Sequence, residues 1–118
     1  MKTLLIVDDD SNIRLLLRDE FSERGFNVVT AVDGEEAVIS FHEQAVDLVV
    51  LDLRMPKLDG GGVLKKIRSY NKFVPIVIYT ANPNDLPDYD SYGNVKLLVK
   101  GADLSPLIEE VISQTNVR

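Results

Sequence analysis

The sequence predicts an α/β fold: five parallel strands in the order 2-1-3-4-5, with helices on both faces of the sheet. Three observations carry this. Short apolar runs alternate with stretches of helical periodicity along the chain, the pattern of repeated strand–helix units joined by right-handed crossovers. Residues 4–7, 48–51 and 74–79 are apolar throughout, as strands covered on both faces must be, whereas 26–31 and 95–99 are mixed and suit the two edges. The 118 residues and 45% hydrophobic content are enough for one core in a single domain, 1–118, and too few for a closed eight-stranded barrel.

The first strand, Leu4 to Val7, is bounded by Asp8, Asp9 and Asp10. Asp10 or Ser11 can cap the helix that follows. Ile13, Leu16, Leu17 and Phe21 recur on one face of that helix, with Arg14, Arg18, Asp19 and Glu23 opposite, and Gly25 suits its end. In the second strand Phe26, Val28 and Thr30 alternate with Asn27, Val29 and Ala31; Asp33-Gly34 then turns the chain. The second helix carries Ala37, Val38 and Phe41 inward and Glu35, Glu36 and Glu43 outward. The third strand, Leu48–Leu51, ends on Asp52. Pro56 stops it, and Asp59-Gly60 leads into a third helix with Val63, Leu64 and Ile67 on its apolar face. Gly60, Gly61 and Gly62 weaken that helix's first turn, so mobility is expected there. Lys65, Lys66 and Arg68 read as a solvated face, and His42, the one histidine, as a surface residue.

The fourth strand begins near Pro75, where no ladder donor is needed, and ends at Thr80. Residues 82–93 contain Pro83, Pro87 and several aspartates but no apolar stripe, so any helix there is short. The fifth strand, Val95–Val99, carries Lys96, a charge suited to an edge, and ends at Lys100. Leu104, Leu107, Ile108, Val111 and Ile112 form the cleanest helical stripe in the chain.

Composition excludes several functions. The chain has no cysteine, which rules out a disulfide scaffold, a thiol nucleophile and zinc–thiolate sites. A net charge of −6 argues against binding a phosphate backbone. The N-terminal apolar run is too short for a signal sequence or a membrane span. A cytoplasmic location is expected.

In a parallel sheet all strands end on one edge, and a ligand site lies beyond those ends, at the switch point between strands 1 and 3. That edge should gather Asp8, Asp9, Asp10, Asp52, Thr80 and Lys100, with Asp33 set apart on the edge strand. A single acidic residue after a strand is commonly a turn former; the collective arrangement is what points to chemistry. Crowded carboxylates call for a cation. One lysine cannot neutralise three of them, whereas Mg2+ is held by one or two carboxylates with waters and phosphate oxygens. A carboxylate can also attack phosphorus and carry an aspartyl-phosphate, with a lysine and a hydroxyl contacting the transferred group.

With these residues in place, the chain resembles the receiver domains of two-component response regulators over nearly its whole length. The resemblance rests on Leu5-Ile6-Val7-Asp8-Asp9-Asp10, Asp47 through Pro56 with Asp59-Gly60, Ile78-Tyr79-Thr80-Ala81, and Leu98-Val99-Lys100. It implies a flavodoxin-like fold of five βα units. It further implies that Asp52 accepts phosphate from a histidine kinase or phosphotransfer protein. Asp8, Asp9, Asp52 and the backbone carbonyl of Arg54 would hold Mg2+, and Thr80 and Lys100 would contact the phosphoryl group. Such a chain is regulatory rather than a metabolic enzyme, and it promotes its own phosphorylation and dephosphorylation. It would signal as a monomer or a phosphorylation-dependent dimer through contact with another protein, without binding nucleic acid or membrane. Arg54 and Asn82, each two positions beyond a site residue, would tune hydrolysis. With no output domain after the last helix, a single-domain regulator of the chemotaxis or phosphorelay type is expected.

Three departures from the family pattern stand out. Leu97 occupies a position that is often aromatic, Gly101 follows the lysine where proline is usual, and the 82–93 connection is short. They favour an altered output route, and they motivate an alternative: a pseudo-receiver that binds partners without phosphorylation. A flavodoxin-type carrier is disfavoured because Asp8, Asp9 and Asp10 replace a Ser/Thr/Gly phosphate cradle. An Asp-nucleophile hydrolase would need a cap to close over its substrate.

Overall fold

A computed structural model describes residues 1–116. The strands are β1 (Thr3–Val7), β2 (Asn27–Ala31), β3 (Leu48–Leu51), β4 (Ile76–Thr80) and β5 (Val95–Val99). The helices are α1 (Ser11–Glu23), α2 (Gly34–Glu43), α3 (Gly60–Tyr70) and α4 (Ser105–Thr115). All neighbouring strands pair in parallel, in the order β2-β1-β3-β4-β5. The predicted order and the two edge strands are therefore observed.

The alternation of side chains along the central strands builds two cores. Leu5 and Val7 of β1, Val49 and Leu51 of β3, and Ile76 and Ile78 of β4 face one side, where Val63, Leu64 and Ile67 of α3 and Ala37 of α2 pack. Leu4, Ile6, Leu48, Val50, Val77 and Tyr79 face the other, against Leu17 and Phe21 of α1 and Leu107, Ile108 and Val111 of α4. All four residues of β3 are buried, which explains its unbroken apolar run. Asp47 and Asp52 flank it; at the start the Thr3 amide donates to Asp47 Oδ2 at 2.7 Å, and the Asp47 amide donates to the Thr3 carbonyl at 2.8 Å.

Three helices start on an aspartate whose carboxylate accepts a first-turn amide: Asp10 from Asn12, Asp33 from Glu36 and Asp59 from Gly62. These bonds satisfy orphan donors at helix starts. Gly25, at φ +93°, follows α1 in the left-handed region, as its position predicts.

As the lack of an apolar stripe in 82–93 predicts, the β4–β5 connection holds no full helix, only two 3-10 turns, Pro83–Asp85 and Tyr89–Tyr92. Three expectations need correction. Leu16 lies on the outer face of α1 and is 47% exposed, beside the equally outward Leu15. The Gly60 position is set by packing rather than by looseness: a Cβ there would overlap the Asp52 carbonyl oxygen and lie 2.7 Å from Leu53 Cα. Arg68 is half-buried rather than part of a fully solvated face. Its Nε donates to the Tyr92 carbonyl at 2.6 Å, Nη1 to Asn71 at 3.2 Å and Nη2 to Asn94 at 3.0 Å. It thereby anchors the end of the connection that lacks a helix. His42 is exposed as expected, with its ring edge-to-face on Tyr70 at 4.1 Å.

Candidate functional site

Strand register places the site. Val7 of β1 pairs with Leu51 of β3, so Asp8 and Asp52 emerge side by side one residue later, and the Asp52 amide donates to the Val7 carbonyl at 3.0 Å. Thr80 of β4 pairs with Val99 of β5, and the Lys100 amide donates to the Thr80 carbonyl at 2.8 Å. Both acidic strand ends and the lysine thus converge on one edge.

The lysine bridges the acids. Lys100 Nζ lies 2.7 Å from Asp8 Oδ2 and 3.3 Å from Asp52 Oδ2. The remaining oxygens are tied to the backbone: Asp8 Oδ1 accepts from the Asp10 amide at 2.9 Å, and Asp52 Oδ1 from the Leu53 amide at 2.8 Å. Arg14 Nη1 donates to the Asp8 carbonyl at 2.9 Å, fixing the loop from α1. Asp8 and Asp52 are 3% and 6% exposed; Asp9 is exposed.

Burial raises the Asp8 pKa above the usual carboxylate range, against the hydrogen bonds from Lys100 and the Asp10 amide; the neighbouring Asp52 charge adds to the rise. For Lys100, burial works against the ammonium, but Asp8 and then Asp52 outweigh it, and the net shift is upward. The site holds more negative charge than one ammonium balances, which is the condition for cation binding. One oxygen from each of Asp8, Asp9 and Asp52 falls within 4.8 Å of the others. Such a hard oxygen donor set fits Mg2+ or a similar divalent ion.

The structure therefore brings Asp8, Asp9, Asp52 and Lys100 together. Thr80 is fully buried at the adjoining strand end, where its hydroxyl accepts from the Asn82 amide at 3.1 Å. Asp10 turns to capping α1, and Asp33 forms an ion pair with Lys57 at 3.5 Å. Arg54, expected to contribute its carbonyl, also sends its side chain to Asp85: Nε to Oδ2 at 2.7 Å and Nη2 to Oδ1 at 3.2 Å. That pair raises the Arg54 pKa, with a smaller contribution from Asp52, and lowers that of Asp85. No local sequence pattern links residues 31 apart, so the pair is visible only in the fold. An open cleft of about 520 Å3 lies beside it, lined by Leu53, Arg54, Met55, Lys65 and Leu86 among others.

The family model for the response regulator receiver domain matches residues 4–112. The chain belongs to the response regulator receiver family. The receiver of TrrA from Thermotoga maritima, solved in complex with Mg2+-BeF, superposes with a TM-score of 0.89 at 38% identity, covering 97% of this chain and 99% of that one. TrrA bound to the histidine kinase ThkA matches with a TM-score of 0.86 at 38% identity, over 97% and 98% of the two chains. Among curated relatives, the probable transcriptional regulator ycf27 of Guillardia theta is 51% identical over 78 residues, 66% of this chain and 30% of that protein. The alkaline phosphatase synthesis transcriptional regulatory protein PhoP of Bacillus subtilis is 40% identical over 84 residues, 71% of this chain and 35% of that one. The chain thus spans about a third of the length of these relatives. As a receiver of a two-component response regulator it has a regulatory role. Among the described residues, no helix is long and apolar enough to cross a membrane.

In this receiver the departures have structural counterparts. Leu97 is half-buried against the α2/α3 core, Gly101 has open space around it, and the Lys100–Gly101 bond is trans.

Proposed function

We propose that Asp52 accepts a phosphoryl group from a phosphohistidine of a histidine kinase or phosphotransfer protein, in a Mg2+-dependent reaction. One observation chiefly supports this reading: a buried carboxylate sits at the switch point with Asp8, Asp9 and Lys100 around it. One oxygen of the Asp52 carboxylate attacks phosphorus, giving up its present partner, Lys100 on Oδ2 or the Leu53 amide on Oδ1. The P–N bond to the imidazole breaks, and its electron pair stays on that nitrogen, which takes up a proton. Asp8, Asp9, Asp52 and the Arg54 carbonyl would hold Mg2+, which when bound offsets the charge of the transferring group. Lys100 is already poised on Asp52 and would follow the new oxygens as a point charge. The Thr80 hydroxyl would exchange its Asn82 amide for the phosphoryl group and so report its presence.

Further parts of the reading are that the chain acts in the cytoplasm and folds as one domain over 1–118. It signals as a monomer or phosphorylation-dependent dimer through protein contact, and Arg54 and Asn82 set the rate at which it loses phosphate. The Mg2+-BeF complex of TrrA and the TrrA–ThkA complex, both of a receiver 38% identical, support the metal and the kinase as partners.

Incubation with a small phosphodonor and Mg2+, followed by intact-mass analysis, should add one acid-labile phosphate to the wild type and none to Asp52→Asn. An unlabelled wild type would overturn the proposal in favour of a pseudo-receiver.

A further inference from the structure

The Arg54–Asp85 ion pair joins two segments that the proposed reaction treats differently. Arg54 lies on the loop that leaves Asp52, while Asp85 ends the first 3-10 turn of the β4–β5 connection. That connection has no α-helix to hold it. At its far end the Arg68 guanidinium binds the Tyr92 and Asn94 carbonyls. At its near end the ties are the Arg54–Asp85 pair, the Asn82 amide on Thr80 Oγ1, and the half-buried Leu86 and Tyr89 on the core.

The geometry points to an exchangeable latch: Arg54 pins the near end of the connection through Asp85 until Asp52 is phosphorylated, and the phosphoryl group then takes the guanidinium from Asp85. This rests on the phosphorylation reading above. Arg54 has the freedom to move, since its side chain is 67% exposed, and an exposed carboxylate pair is weak. A phosphoryl group carries about −1.5 to −2 charges and three acceptor oxygens, and it matches the guanidinium fork. Thr80 adds to the release, because the same event draws its hydroxyl off the Asn82 amide. The freed part is residues 82–89, including Leu86 at the rim of the cleft; the part held by Arg68 stays in place.

Amide hydrogen exchange by NMR tests this, with beryllofluoride and Mg2+ as a stable phosphoryl substitute and fluorine NMR to show binding. The reporters are the Asp85 and Tyr89 amides, which bond within the connection to Asn82 and Leu86. In the wild type their exchange should rise about two- to five-fold on loading, the factor an exposed ion pair is worth, with no change at Val95. Asp85→Asn should exchange at the raised rate beforehand and gain no more than the loss of the Thr80 contact contributes. The reversed pair Arg54→Glu/Asp85→Arg should keep the low rate beforehand and, on loading, gain no more than the loss of the Thr80 contact contributes. Bound beryllofluoride without a rise in the wild type, or release of the reversed pair equal to that of the wild type, would overturn the latch and leave the phosphorylation reading standing. Absence of bound fluoride would remove both.

Discussion

Replacing Lys100 with methionine separates what the lysine does for folding from what a metal ion does. The ammonium lies 2.7 Å from Asp8 and 3.3 Å from Asp52. At an effective dielectric of about 20, these distances correspond to gross attractions of about 6 and 5 kcal/mol. Desolvation cancels most of that, and removing one partner of a buried pair costs about 3–5 kcal/mol. The Lys100 side chain keeps 20% of its exposure, which puts the metal-free cost near the lower end, about 3 kcal/mol. The methionine retains most of the stem's packing. The two carboxylates then face each other with no cation between them, and a divalent ion supplies what was lost. In the wild type, an ion at a hundred times its dissociation constant stabilises by about 2.7 kcal/mol. At the same concentration the increment should reach about 4 kcal/mol in Lys100→Met, a tenfold gain in ion affinity. Urea unfolding with chelator and with Mg2+ measures both numbers. An increment in the variant equal to or below that of the wild type would refute the reasoning, since ammonium and metal would then not share the charge of Asp8 and Asp52.

Other perturbations have signs fixed by the structure. Gly61→Ala should stabilise by about 0.5–1 kcal/mol through helix propensity, because a Cβ there meets nothing closer than 3.5 Å. Gly60→Ala should destabilise by about 1–3 kcal/mol, because its Cβ overlaps the Asp52 carbonyl; urea midpoints compare the two. Arg68→Lys should cost about 2 kcal/mol, since an ammonium cannot serve three diverging carbonyls, and exchange should quicken at Val95. The pKa values of Asp33 and Asp85 lie below 3.8, lowered by the Glu36 amide and by Arg54 respectively. Their contribution is therefore present above pH 3.8 and lost as pH falls through the lower folded values. The double variant Asp33→Asn/Asp85→Asn should show a shallower acid limb in a melting-temperature series from pH 5 to pH 2.

The parts of the fold legible in the sequence were those whose signal is local. A run such as Leu48-Val49-Val50-Leu51 states its burial by itself, and residues one position beyond paired strand ends must meet once the strand order is known. Asp8, Asp52 and Lys100 accordingly share one edge, where the structure sets them within salt-bridge distance. Contacts set by long side chains were not legible. Arg68 sits where a solvated helix face is expected, and only the path of residues 92–94 makes it a backbone anchor. Arg54 reaches Asp85 at the end of a 3-10 turn that no local pattern places opposite it. Leu16 belongs to the stripe of Ile13 and Leu17 by spacing, but α1 turns its Leu15–Leu16 side outward. On the third helix, three consecutive glycines looked like weakness because propensity is a local quantity, while the close approach of Gly60 to Asp52 is not.

The burial of β3 on both faces has a consequence for how Asp52 can be replaced. Because Val49 and Leu51 fill one core while Leu48 and Val50 fill the other, hydrophobicity alone does not distinguish this strand from the same strand slid along by one residue. The polar groups at its two ends make that distinction. Asp47 is bonded to Thr3 at one end, and at the other Asp52 cannot be drawn between the cores. Asp52 therefore also serves as a stop that holds the strand in alignment. A silencing variant at this position should stay polar: asparagine preserves the stop, whereas leucine or valine would lengthen the apolar run and loosen the alignment that gathers the site.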